Sequence, residues 1–286
     1  MSYNNYIPTV WAEAINRELT KAHVFAANTN REYEGKVSRL GDSVRILGIG
    51  SPTVTTYDMN SKDNKFTGLA DPETIEDTST TLYIDKQSVF NYKVDDIDKR
   101  QAVGGIMEAL SAETSEKVAD EQDKAIASLS FDSLAVNMSK TPFQITASNI
   151  LEKLIEAHTL LAENNVSRNT KVTVTLSPRV AMLYKQAMGI GRQTSYADDL
   201  LKKGIIDVFD VMELTESNNV ARKNVSSNDV LGIQVTTDRA IAFASPMIHT
   251  EPYRPEKQFS DAIKGFVLYG TKIVRPKEMI ILNGYV

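Results

Sequence analysis

The sequence predicts an α+β protein in which helical and extended segments are interleaved along one chain, with a projecting hairpin and one long helix. Three observations lead there. In "TTLYIDKQSVFNYKV" the even positions Leu82, Ile84, Lys86, Ser88, Phe90, Tyr92 and Val94 alternate with mostly polar odd ones. That is the period of a half-buried strand with a polar middle. In "GGIMEALSAETSEKVADEQDKAIASL" and its flank, Val103, Met107, Leu110, Val118, Ala125 and Leu129 keep helical spacing, and a helix of about 25 residues spans about 37 Å. Residues 146–245 mix helix and strand signals at short intervals.

Each segment has its own local reason. Residues 1–35 form an arm. Val10, Trp11, Ala14, Ile15 and Leu19 recur at helical spacing after Pro8, and the polar "NTNREYEG" closes the segment. The apolar partner of such an arm lies in its own body or on a neighbouring subunit. Residues 36–94 are extended, with a strand over Ser43–Ile49 after a Gly-Asp turn signal and the alternating strand at the far end. Between them "YDMNSKDNKFTGLADPETIEDTS" is polar and holds Gly and Pro. Two strands joined by a polar excursion of that length make a projecting flap, unusual in a compact fold unless it has a task.

A helical break falls at Gly104-Gly105, where two glycines in mid-helix would cost about 2 kcal/mol relative to alanine. Further on, "TASNILEKLIEAHTLLAENNV" is an amphipathic helix ending at Asn164-Asn165, and "KVTVTL" is a strand. "SPRVAMLYKQAM" sets Ser177 at the N-cap and Pro178 at the first helical position. "GIIDVFDVMEL", "AIAFA" and "KGFVLYGTKIVRP" return to strand character, and no repeat or low-complexity linker separates the parts.

Composition narrows the function classes. The chain has 286 residues, a formal charge of −5 and no cysteine. There is no general basic surface to neutralise a phosphate backbone, no disulfide, no zinc-thiolate site and no thiol nucleophile. The start "MSYNNYIPTVWAEAI" lacks the pattern of a signal peptide, and no apolar run approaches the ~20 residues of a membrane helix. The expectation is a soluble protein made in a cytoplasm.

Candidate chemistry is sparse. His23, His158 and His249 are far apart and have no His or Cys at ligand spacing. A nucleophile elbow is absent. "GIGRQT", Gly189 to Thr194, lacks a third glycine, the Gly-Lys-Ser/Thr ending and a preceding strand. The sharpest feature is "FNYKVDDIDKRQ", where Asp95, Asp96 and Asp98 crowd together. A magnesium site needs carboxylates converging from separate elements. These acids instead follow a strand ending at Val94 and precede a helical segment, where Asp caps free backbone N–H groups and favours the positive end of the helix. Capping by Asp95 and Asp96 explains the cluster without a ligand.

The order of these stretches resembles the major capsid (coat) proteins of tailed bacteriophages, of the Hong Kong 97-type capsid fold. "YIPTVWAEAINRELTKAHVFAANTNREYEG" is similar to the family's N-terminal arm, and "FNYKVDDIDKRQ" to the strand entering its spine helix. "SPRVAMLYK", "KKGIIDVFDVMELTESNNV" and "AIAFASPM" are similar to successive pieces of the axial domain, and "FSDAIKGFVLYGTKIVRP" to the closing strands of the peripheral domain. The resemblance implies an arm (1–35), an extended β-hairpin loop (36–94), a peripheral domain with the spine helix (95–145), an axial domain (146–245) and peripheral return strands (246–286). It implies a structural protein and not an enzyme, without cofactor or metal. Its copies would assemble through hexamers and pentamers into an icosahedral shell around double-stranded DNA bound without sequence specificity.

The implied partners are further copies of the chain, a portal protein and a separate scaffolding protein, since no long helical segment precedes "YIPTVW". The implied place is the virion, after synthesis and assembly in the bacterial host cytoplasm, with no membrane partner. Within the flap, Asn60, Lys62, Lys65, Phe66 and Leu69 are the candidate intersubunit contacts. The lysines read as solvated charges rather than cross-linking groups. An encapsulin-like nanocompartment shell is the nearest alternative, and a metal-dependent enzyme built on Asp95, Asp96 and Asp98 a more distant one.

The capping assignment is testable by substitution. Asp95→Asn or Asp96→Asn is expected to be nearly neutral in thermal melting and assembly yield, while alanine at the capping position costs about 1 kcal/mol. A metal ligand would lose function with asparagine as well.

Overall fold

The computed structural model describes residues 23–34, 43–49, 77–95, 106–139, 141–167, 169–188, 205–209, 211–225, 228–255 and 260–286. The predicted arm helix at Val10–Leu19, the flap residues Asn60 to Leu69, Asp96, Asp98 and the "GIGRQT" segment lie outside them. In chain order the first elements are β1 (Ser43–Ile49), β2 (Asp77–Tyr83), β3 (Lys86–Asp95) and the long helix α1 (Ile106–Ser128). Next come β4 (Val136–Asn137), β5 (Phe143–Gln144), α2 (Ile150–Glu163), β6 (Val172–Leu176) and α3 (Pro178–Met188). Strands close the chain: β7 (Ile205–Phe209), β8 (Met212–Glu216), β9 (Arg222–Val225), β10 (Asn228–Thr237), β11 (Ile241–Tyr253), β12 (Ser260–Ile273) and β13 (Met279–Tyr285).

The hairpin is anchored at its base. β1 and β2 pair antiparallel, with Ser43 opposite Tyr83 and Ile49 opposite Asp77. Val44, Ile46, Leu82 and Ile84 bury against Ala242, Ala244 and Leu268, so apolar contact holds one end while the other leads into residues 50–76.

The single strand expected over Leu82–Val94 is two strands in different sheets. Leu82 and Ile84 are both 0% exposed and belong to the hairpin cluster. From Lys86 onward the chain pairs with β12 instead, Lys86 opposite Tyr269 and Asp95 opposite Ser260. The change of partner falls at the exposed Asp85, in the polar middle of the alternating run. Within β3 the predicted alternation holds: Gln87, Val89, Asn91 and Lys93 are exposed, while Ser88, Phe90 and Tyr92 are half-buried. β11 completes a three-stranded antiparallel sheet in the order β11-β12-β3, with a register shift between Ala244 and Met247.

The larger sheet has eight strands, ordered β4-β13-β10-β6-β8-β7, with β5 also on β13 and β9 also on β10. It is mixed, since β6 and β8 are parallel while β10 is antiparallel to β6 and β13. α2 packs against β13 and α3, with Ile150, Leu154, Ala157 and Leu161 on its buried stripe. It ends where expected, at Asn165 with φ 62°, a left-handed position that asparagine tolerates better than most residues. α3 starts at Pro178 as predicted, and Ser177 accepts the Ala181 N–H through its backbone carbonyl at 2.8 Å. The Ser177 hydroxyl is buried without a partner among the described residues, so position and proline make this start, not a side-chain cap.

Residues 246–286, expected to return together to the peripheral domain, divide between sheets. β12 stays in the three-stranded sheet, but β13 lies between β10 and the short β4 and β5. The reason is two-sided burial. Met279, Ile280, Ile281 and Leu282 are all buried in one run, and an interior position of the larger sheet covers both faces of such a strand.

α1 spans 23 residues, as the long helical segment predicts. Its stripe differs from the expected one. Val118 is buried, but Ala125 and Leu129 are half-buried, and the inward row runs through Ser115, Val118, Ala119, Gln122, Asp123, Ile126 and Ala127. The spacing is helical, yet much of the row is small or polar. Close packing replaces large side chains, with Val118 and Ala119 against Val267 and Phe90.

The close approach between β12 and the hairpin base gives a test. A β-carbon at Gly270 would run into the Tyr83 carbonyl oxygen and reach Ile84 Cδ1 at 3.0 Å. Gly270→Ala is expected to lower the unfolding free energy by about 1–3 kcal/mol in denaturant titration, the usual effect of overpacking. An unchanged midpoint would mean that β2 can shift freely from β12.

Candidate functional site

Two buried polar residues of α1 organise the region where the arm meets the body. Asp123 Oδ2 accepts the Val24 N–H at 2.8 Å and the Phe25 N–H at 3.2 Å, and Oδ1 accepts the Ala26 N–H at 3.1 Å. His23 Nδ1 lies 3.3 Å from the same Oδ1. The chain makes a 3-10 turn at Ala26–Asn28 after Phe25 in right-handed helical geometry. The first N–H groups of such a turn have no partner within it, so they converge on the carboxylate. Phe25 and Ala26 are buried in the main core, and the His23 ring stands edge-on to Phe243 at 6.0 Å.

The next residues lie along β11. The Asn30 N–H donates to the Ile241 carbonyl at 2.9 Å, and the Phe243 N–H donates to the Asn30 carbonyl at 3.0 Å. Glu34 Oε1 accepts from Arg31 Nε at 2.9 Å and from the Ser245 N–H at 3.2 Å. The Arg31 guanidinium sits 5.6 Å over the Phe243 ring, a cation–π arrangement. Gln122 Nε2 reaches Ser245 Oγ at 3.2 Å, which in turn reaches the Leu268 carbonyl at 3.2 Å. The arm's root therefore finds its partner in its own subunit, at the junction of α1 with β11.

One turn further on, the C-terminal end of α1 is seated on the larger sheet. Gln234 Nε2, on β10, lies 3.1 Å and 3.2 Å from the carbonyls of Ile126 and Ala127 and 2.9 Å from Ser130 Oγ. Those carbonyls belong to the last helical turn, where intrahelical donors run out. Gly232 lets the two elements meet, since a β-carbon there would come within 2.6 Å of Ser130 Cβ.

On the outer side α1 is laced by exposed pairs, Lys117 with Glu113 at 2.7 Å and Lys124 with Glu121 at 2.8 Å. A groove of about 320 Å³ runs between α1 and β3, lined by Val89, Phe90, Thr114, Lys117 and Val118 among others. Beside it burial pushes the Tyr92 phenol above its usual range, partly offset by the neighbouring Thr114 hydroxyl. Tyr269 is raised likewise by burial, against Ser88. Both remain neutral phenols at neutral pH.

The His23–Asp123 pair has side chains each 2% exposed and is closed to any substrate. His158 lies on α2, and His249 faces Phe266 with ring centroids 5.6 Å apart. Among the described residues no group of three or more His, Cys, Asp or Glu could hold a metal ion. Of the residues singled out in the sequence, Asp95 closes β3 opposite Ser260. Asp96, Asp98, Asn60, Lys62, Lys65, Phe66 and Leu69 lie outside the described residues. The sequence reading missed Asp123, Gln122 and Gln234. The available signal for the first two was their place in a helical row of small residues.

An anchored hairpin, a long helix met by the root of an arm, and sheets built from a discontinuous chain are the parts of one recognisable fold. This is the phage-capsid fold of Hong Kong 97 type. A protein of Mycobacterium phage Che8 matches with 27% identity over 91% of this chain and 90% of its own, at a TM-score of 0.69. The capsid structure of the cyanophage P-SCSP1u matches with 15% identity over 92% and 88%, at 0.64. A virus-like particle from Pyrococcus furiosus matches with 12% identity over 99% and 100%, at 0.60. No family model and no curated protein sequence matches.

The seat of α1 supplies a stability test. Gln234→Leu keeps the volume but removes the side-chain donor from the Ile126 carbonyl and one of two from that of Ala127, and is expected to lower unfolding free energy by about 1–3 kcal/mol. The exposed Arg239→Ala should change it by less than about 0.5 kcal/mol. Equal midpoints for the two variants in urea would remove Gln234 from the seat.

Proposed function

We propose that the chain is the major capsid protein of a tailed bacteriophage. Its copies associate as hexamers and pentamers and close into an icosahedral shell around double-stranded DNA. The reading rests on one observation above all: the likeness to the Che8 protein extends over nine-tenths of both chains, at an identity of 27%. The anchored hairpin supports it, because the polar segment 50–76 holds little apolar material to bury within one subunit.

The protein acts by assembly and not by catalysis. Its partners are its own copies, a separate scaffolding protein and a portal protein. With a formal charge of −5, it encloses DNA by shell geometry, without a sequence-reading surface. Its place is the virion, following synthesis in the host cytoplasm. No helix among the described residues is long and apolar enough to cross a membrane. The full-length alignment with the Pyrococcus furiosus particle favours a nanocompartment shell as second reading. It ranks below the phage reading because both identity and TM-score are lower.

Light scattering and negative-stain microscopy of the protein, alone and co-expressed with a scaffold, should show capsomers or closed shells. A strict monomer under all these conditions overturns the proposal. Shells that co-purify with an enzyme instead of depending on a scaffold would favour the nanocompartment. Deleting Asn60 to Leu69, the proposed intersubunit contacts, is expected to leave melting nearly unchanged while preventing shell closure. Closed shells from that deletion would remove the flap from the interface.

A further inference from the structure

We propose that Asp123 is a latch: its buried carboxylate fixes the root of the N-terminal arm to α1 and so sets where, and in which direction, the arm leaves the subunit. An ionised carboxylate offers two oxygens and about four acceptor sites and no donor. Here it faces four nitrogens, the backbone N–H groups of Val24, Phe25 and Ala26 and the His23 Nδ1. Because the carboxylate can only accept, Nδ1 carries the proton and donates.

The match is specific to a carboxylate. Asparagine has one acceptor oxygen, and its NH₂ would be turned toward N–H groups that also donate. The nearby Lys124 ammonium is held by Glu121 at 2.8 Å on the exposed face, so the Asp123 charge is met by converging backbone dipoles, as in an anion-binding nest. The donors lie about a hundred residues away along the chain. They are local to one another but not to the helix, so nothing in the secondary structure of either segment requires the contact.

Its position gives it consequence. Asp123 lies in the same helical turn as Gln122, which reaches Ser245 on β11. Asn30 and Glu34 then tie the following residues to that strand. Residues 23–34 thus move with α1 and β11 as one body, and the chain before His23 starts from a fixed point. Within a shell, which rests on the capsid reading, that point determines which neighbour the arm meets. The latch itself stands without that reading.

Amide hydrogen exchange on the full-length protein tests it. Asp123→Asn is expected to speed exchange at Val24, Phe25 and Ala26 on the order of tenfold or more, with β10 and β13 amides unchanged. Deleting residues 1–22 should leave protection at those three amides intact. Should Asp123→Asn not fold, His23→Ala decides by the same measurement, with several-fold faster exchange confined to residues 24–26. Wild-type exchange in the substituted proteins overturns the latch. So does loss of protection spread equally over β10 and β13, or loss on deletion of residues 1–22. Microscopy of the same samples separates the two readings. Confined exchange effects without shells from the wild type would uphold the latch and remove the capsid function. Native shells from Asp123→Asn would remove its role in placing the arm.

Discussion

The long helix α1 is held over its last two turns by buried hydrogen bonds to groups distant in sequence, and the arrangement of the sheets depends on that seating. Near its C-terminal end Gln234 and Ser130 donate to the free carbonyls of Ile126 and Ala127. About one turn earlier Asp123 gathers the N–H groups of the arm. On the same face the helix presents small residues, Ala119 and Ala127, so it can lie close to the strands and to the arm's root. A helix packed by large apolar side chains alone could slide by a turn at modest cost. One whose polar partners must be met cannot, because each unmet buried group loses its hydration without compensation.

This constraint links the two larger sheets. β11 begins within the main core, where Ile241 and Phe243 face one cluster while Ala242 and Ala244 face the hairpin cluster. After the register shift between Ala244 and Met247 it continues as part of the three-stranded sheet. The bulge re-aims the strand, so a single chain segment serves both bodies. The arm crosses at this place through Asn30. Core packing, bulge and latch therefore converge on one junction, and a displacement there would be felt by the hairpin base, the arm and α1 together.

Much of this was legible in the sequence because its causes are local. The alternation around Phe90, the Pro178 start and the Asn165 stop each reflect backbone preferences that a short window contains. The rest was hidden because its causes are not local. Asp123 sits in "VADEQDKAI" among other acids that face solvent, and its donors are about a hundred residues away. The break between β2 and β3 was masked by the continuity of the alternation across Ile84, although the chain exchanges partners there. β13 looked like a companion of β12 because it follows closely, yet its unbroken apolar run called for an interior position that β10 provides.

The edges of the three-stranded sheet carry features that oppose pairing with another strand. β3 and β11 are ten and thirteen residues long and each has an outer edge. Long open edges are templates for unwanted pairing, most of all among identical chains at high concentration. At β11 the first residues are covered by Asn30 and the strand is then bent by its bulge. On β3, charged Lys86 and Lys93 flank the middle, leaving Val89, 71% exposed, as the large apolar side chain that faces outward. Across the sheet Lys264 pairs with Glu251 at 3.0 Å, and the Tyr253 hydroxyl donates to Asn91 at 3.1 Å. These polar rows disfavour backbone pairing along the open edges.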